Sequence, residues 1–176
     1  ASGVDRTTFR FTPDDNGSYS VGLTVSDEDG GSSYVEQPIS VANVAPAELT
    51  LNQSAISIDE NDTLLLSVGL IDPGILDLHT LVIDWGDGSP GNTVLLDAGV
   101  LSFSASHRYL DNRPGNAPHP IIVTVIDKDG GSFMRSGGVT VRNAAPTATV
   151  TGPTNGVRGQ PLAFMLRATD PSPVDQ

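Results

Sequence analysis

Apolar and polar residues alternate along most of the chain. In "SYSVGLTVSD", Tyr19, Val21, Leu23 and Val25 fall on one side at a period of two, and in "IIVTVID" Ile121, Val123 and Val125 do the same. Further alternating sets are Leu64, Leu66 and Val68; Leu81, Ile83 and Trp85; Phe103 and Ala105; and Leu162, Phe164 and Leu166. Helical periodicity is missing. Turn signals separate these runs at Asn16-Gly17, Asp29-Gly30, Asp87-Gly88 and Asp129-Gly130, where glycine accepts a positive φ without a Cβ clash. The pattern predicts an all-β chain of short strands.

The strands are organised by a repeat. "LTVSDEDGGSS" (Leu23 to Ser33) recurs as "VTVIDKDGGSF" (Val123 to Phe133), and "SVANVAPA" (Ser40 to Ala47) as "TVRNAAPT" (Thr140 to Thr147), each pair 100 positions apart. "LIDPGILD" (Leu70 to Asp77) matches "ATDPSPVD" (Ala168 to Asp175) 98 positions on. A unit of this size suits one immunoglobulin-like β-sandwich of about 100 residues. "NVAP" and "NAAP" read as linkers in which proline ends one strand and fixes the approach to the next. Residues 45–144 then form one complete domain, flanked by two partial repeats. Residues 1–44 correspond to the later part of a unit, and 145–176 to its beginning.

The motifs "DWGDG" (Asp84 to Gly88), "HRY" (His107 to Tyr109) and "VTVIDKDGG" (Val123 to Gly131) resemble those of the polycystic kidney disease (PKD) repeats. These are immunoglobulin-like modules common in secreted and surface proteins. The resemblance covers the middle unit and both partial ones, and it implies a PKD-like sandwich in tandem array. Two departures stand out. Ile83 and Trp85 occupy places where the family has tryptophan and phenylalanine, and "LDNRPGNAPHP" is longer than the matching "DDNGS", with His119 standing where Tyr19 does.

Charge narrows the function. The net charge is −12, with nine basic residues against 21 acidic ones, which opposes docking onto nucleic acid or anionic lipid. No apolar run approaches the roughly 18 residues of a membrane span, so membrane insertion is not expected. With no cysteine there is neither a disulfide framework nor a thiolate metal site.

The chemistry of "DWGDG" reads as structural. Acid/base catalysis needs two carboxylates in contrasting environments, whereas Asp84 and Asp87 sit at one glycine-rich turn. Trp85 is expected in the core, with Asp87-Gly88 turning the chain. His79, His107 and His119 lack the spacing of a shared metal site, and no Gly-x-Ser-x-Gly elbow occurs. No enzymatic activity is expected.

Calcium is the sharper expectation. Ca²⁺ takes six to eight oxygens, so several acidic loops must converge. In an immunoglobulin-like sandwich the loops carrying Asp72 and Asp77 ("DPGILD") and Asp127 and Asp129 ("DKDGG") meet at the end where the chain comes in. Asp14, Asp15 and Asn16 of the first segment should face them across the linker residue Asn43. The rival reading is hairpin chemistry alone, since aspartate bonds its own backbone in turns. Asp127 and Asp129 are two apart, so only a turn could aim both at one ion. Between the middle and third units Asp170 and Asp175 should form part of a corresponding site.

The chain thus reads as an excerpt from a large secreted or cell-surface protein, serving as a non-catalytic spacer and adhesion or protein-contact unit. Its partners would be other repeats of the same protein or other surface proteins. The partial repeats, each with an open apolar face, could also join head to tail between copies. Two alternatives are an accessory module of a secreted hydrolase and a carbohydrate-binding domain. The second needs an exposed aromatic platform, which a 5% aromatic content makes scarce.

Overall fold

The computed structural model describes residues 8–74 and 76–175. Residues 1–7 of the first segment, Ile75 of "DPGILD" and Gln176 lie outside that description. The chain is nearly all β, with 51% strand and 2% helix.

The first segment forms one hairpin, β1 (Gly17–Ser26) with β2 (Ser32–Val41), and the last forms another, β11 (Thr147–Thr151) with β12 (Met165–Thr169). Between them run β3 (Glu48–Gln53), β4 (Ser57–Asp59), β5 (Thr63–Ile71), β6 (His79–Asp84), β7 (Asn92–Leu96), β8 (Ser102–Arg108), β9 (His119–Asp127) and β10 (Ser132–Arg142). These eight make a five-stranded sheet in the order β4-β10-β9-β6-β7 and a three-stranded sheet in the order β3-β5-β8. The chain changes sheet between β3 and β4, so that β4 adds to β10 in parallel, whereas β9 meets β10 antiparallel.

Both sheets turn their apolar phase onto a single core. Leu49, Leu64, Leu66 and Val68 come from the smaller sheet, and Leu81, Ile83, Ile121, Val123, Val125 and Val139 from the larger, each at most 2% exposed. Burial of each contributes about 1.5–3 kcal/mol. The linker, the β5–β6 connection and the β9–β10 turn gather at one end of this core, here termed proximal. The β6–β7 turn and the β8–β9 connection lie at the other, distal end.

The hairpins at either side lack this second layer. Leu23 and Val25 are each 58% exposed, although the residues 100 positions on, Val123 and Val125, are fully buried. Tyr19, Val21, Leu23 and Val25 do share one face of β1, and among the described residues no sheet covers it. A correction concerns the last segment, where β12 begins only at Met165, leaving Leu162 and Phe164 before the strand and exposed. Pro153 lies just beyond β11, where it cannot donate to a longer ladder.

Sequence-equivalent positions should therefore differ in weight. Val123→Ala is expected to cost about 2 kcal/mol of stability, from the lost methyl groups and the space left behind. Leu23→Ala should cost no more than about 0.5 kcal/mol. Urea unfolding of both variants checks this, and equal losses would mean that the first hairpin is covered in solution.

Candidate metal centre

The period-two phase of three core strands continues past their apolar residues. Asp72 follows the buried series Leu64, Leu66, Val68 and Leu70 of β5. His79 opens the series that continues through Leu81 and Ile83 in β6, and Asp127 closes the series Ile121, Val123 and Val125 in β9. The β6–β9 register sets His79 opposite Asp127. Asp77, on the β5–β6 connection, joins them at the proximal end. All four side chains are buried.

A buried carboxylate needs donors or a counter-charge. Asp72 Oδ2 lies 2.9 Å from His79 Nε2, and its Oδ1 accepts the Gly74 N–H at 2.7 Å. Asp127 Oδ1 accepts the backbone N–H groups of Asp129 and Gly131 at 2.9 and 2.7 Å, while Oδ2 accepts Asn43 Nδ2 at 2.8 Å. Glycine is required at position 131, because a Cβ there would overlap the Asp127 carboxylate and Ala45. Asp77 is the exception. Its Oδ1 is buried and receives no hydrogen bond, since Lys128 Nζ stands 3.1 Å away as an ion pair but out of hydrogen-bond alignment.

Carboxylate oxygens of Asp72, Asp77 and Asp127 lie within 4.8 Å of one another, and those of Asp15, Asp77 and Asp129 form a second such group. Two oxygens bound to one ion at about 2.4 Å can be no more than about 4.8 Å apart, so each group is compact enough to share a cation. The expected set is thereby divided. Asp72, Asp77, Asp127 and Asn43 make an inner half, and Asp15, Asn16 and Asp129 an outer half reached through Asp77. Asp127 and Asp129 do share a turn, but it sends them to different halves, because Asp127 spends Oδ1 on the turn's own N–H groups. Asp14 is in neither compact group: it is exposed, with its carboxylate 3.4 Å from the Tyr19 hydroxyl, and it lines the cleft beside them.

Lys128 ties the two sides of the linker together. Its Nζ is 2.8 Å from Asp15 Oδ1, 2.5 Å from Asp129 Oδ2 and 3.3 Å from Asn16 Oδ1. Hydrogen bonds to Asp129 and Asp15 push the ammonium's pKa up, and the same contact holds the Asp129 carboxyl below the usual carboxylate range. A cleft of about 170 Å³ opens beside it, lined by Pro13, Asp15, Asn16, Asn43, Gly74 and Asp77 among others. The sequence reading missed Lys128 and His79. His79 was legible, since it stands in phase with Leu81 and Ile83; Lys128 is the chain's one lysine and stands between the aspartates of "DKDGG", but strand phase does not specify its reach to Asp15.

At the distal end Glu60, Asp111 and Asp175 form a further compact group. Glu60 follows buried Ile58 in phase and accepts the backbone N–H groups of Asn112 and Ala144 at 3.2 and 3.0 Å. Burial, and then the neighbouring Asp111 and Glu60, push the Asp175 carboxyl up. Of the two residues expected here, Asp175 joins the group, whereas Asp170 accepts the Ser172 N–H at 2.8 Å. Ser172 is itself buried, and its hydroxyl donates to Leu110 O at 3.0 Å.

The "DWGDG" turn also lies at this end. Trp85 is fully buried, donates Nε1–H to Asn92 Oδ1 at 2.6 Å, and stacks on the His107 ring at 4.8 Å. Tyr109 donates its hydroxyl to Trp85 O at 3.0 Å. Gly86 has φ +73°, and a Cβ would strike the Pro120 carbonyl. Asp87 Oδ2 lies 2.6 Å from His107 Nε2 and Oδ1 accepts the Ser89 hydroxyl at 2.5 Å. The Ser89 hydroxyl is 3.5 Å from that same His107 nitrogen. Serine and aspartate thus compete for one side of the ring, whereas a proton relay needs them on opposite nitrogens.

No protein-family model and no curated protein matches the sequence. Among solved structures the chain is similar to the superoxide reductase (neelaredoxin) from Ignicoccus hospitalis T24K, at 9% identity and a TM-score of 0.38, over 56% of this chain and 82% of that one. A likeness of that degree decides neither fold family nor activity. The PKD resemblance rests on its residues alone.

Asp87 gives this end a pH dependence. Burial opposes its ionisation, but hydrogen bonds from Ser89 and His107 outweigh that and hold its carboxyl below the usual range. Its contribution to stability is therefore present above the unfolded value of about 3.9 and is lost as pH falls through the lower folded value. Asp87→Asn should flatten the stability profile below about pH 4, as read from urea midpoints at stepped pH. An unchanged slope would contradict the assignment.

Proposed function

We propose that this chain is a non-catalytic tandem-repeat module of a large secreted or cell-surface protein, in which Ca²⁺ stiffens the joint between successive immunoglobulin-like, PKD-like sandwiches. The observation that carries the reading is the proximal joint. Carboxylates from three separate elements converge there across the Asn43 linker, and Asp77 Oδ1 is buried among them with no aligned hydrogen bond and only the Lys128 ammonium, 3.1 Å away, as counter-charge. Unlike charges attract and like charges repel at such spacings by amounts that a low dielectric enlarges. A divalent cation offsets the repulsion.

The donor set selects the ion class. Carboxylate and amide oxygens are hard ligands, suited to Ca²⁺ or Mg²⁺ rather than to thiolate-seeking metals. Ligands drawn from an irregular connection and a hairpin turn favour Ca²⁺, which tolerates irregular coordination, over Mg²⁺, which demands a near-ideal octahedron. Asp72, Asp77 and Asp127 would hold the ion, with Asn43 tying the linker to Asp127.

A spacer and contact role also suits the remaining surfaces. Repeats of about 100 residues joined by four-residue linkers extend a chain, and the open apolar faces of β1–β2 and β11–β12 fit adjoining repeats or a second copy arranged head to tail. The acidic surface favours solubility outside cells. Trp85 and Tyr109 are buried, which leaves the middle unit without either as a sugar-stacking platform.

Thermal unfolding with millimolar Ca²⁺, with Mg²⁺ and with chelator tests the proposal. Calcium should stabilise the chain by about 2.7 kcal/mol at a hundredfold excess over Kd, Mg²⁺ should do less, and Asp77→Asn should abolish the difference between calcium and chelator. Superimposed curves under all three conditions would overturn the calcium reading.

A further inference from the structure

We propose that Lys128 is a resident counter-ion that fills the outer half of the joint, so that the wild-type chain takes one fewer divalent cation there than its oxygens could hold. The inference deepens the proposed calcium reading and rests on it for the inner half. Five carboxylates, those of Asp15, Asp72, Asp77, Asp127 and Asp129, meet in two overlapping groups. The only ammonium among them is that of Lys128, and it sits in the outer group, 2.8 Å from Asp15, 3.1 Å from Asp77 and 2.5 Å from Asp129. Its three N–H donors face four oxygens once Asn16 is included. That arrangement is an oxygen cage closed around a monovalent charge. Asp77, the residue shared by both groups, has its buried Oδ1 within 3.1 Å of that ammonium but not aligned for a hydrogen bond.

The consequence is a division of labour. Among the described residues, the hydrogen bonds to the inner half come from His79, Asn43 and backbone N–H groups and go to Asp72 and Asp127, which leaves the charge to a mobile cation. In the outer half a covalently tethered cation already does so and bridges the linker whether or not calcium is present. Part of the joint would then persist at low calcium, and the rest would respond to it.

Calcium stoichiometry, measured by isothermal titration calorimetry of the chelator-treated 176-residue chain, tests this. Lys128→Met, which keeps the stem and removes the charge, should bind one more Ca²⁺ per chain than the wild type. Lys128→Arg, which keeps the charge, should not. Circular dichroism melting in chelator establishes that both variants fold. Equal stoichiometry in wild type and Lys128→Met, zero included, would overturn the inference; if that shared value is one, the calcium reading survives. Binding by Lys128→Met alone would support the inference while overturning calcium at the wild-type joint.

Discussion

A carboxylate that falls on the buried phase of a strand cannot be left without a partner, and the proximal end of this protein is organised around that constraint. Removing an ionised group from water costs several kcal/mol unless donors or a counter-charge replace the solvent. Asp72 and Asp127 are driven inward by the same alternation that buries Leu70 and Val125. Each then recruits its partners: His79 and the Gly74 N–H for one, Asn43 and the "DKDGG" turn for the other. Because Asn43 belongs to the linker, satisfying Asp127 also fixes how the chain arrives at the middle unit.

The distal end meets a related constraint with different means. Glu60 is buried by its phase and is satisfied by two backbone N–H groups, one of them from Ala144 in the second linker. Around it the aromatic stack of Trp85, His107 and Tyr109 closes the core, and the Tyr109 hydroxyl ties down the glycine-rich turn through Trp85 O. The carboxylate of Asp87 is spent on His107 and Ser89. Trp85 and Asp87 of "DWGDG" thus each tie this turn to a neighbouring element, through Asn92 and His107.

The repeat shows how far local sequence carries. Asp27 of the first hairpin accepts the Asp29 and Gly31 N–H groups at 3.1 and 2.7 Å, the same bonds that Asp127 makes 100 residues later. The turn is local, and the sequence encodes it twice. Burial is not local. Val125 is covered and Val25 is not, because β5 and its neighbours pack over one hairpin and no described strand packs over the other.

The sequence by itself determined the alternation and the turns, since each depends on residues within a few positions of one another. It also placed Asp72, Asp77, Asp127 and Asn43 at one end. Only the tertiary structure decided that Asp127 and Asp129 part company and that Lys128 reaches across to Asp15. Those outcomes turn on distances of a few ångströms between segments up to 113 residues apart, which strand phase and spacing do not specify. Side-chain reach across the joint does.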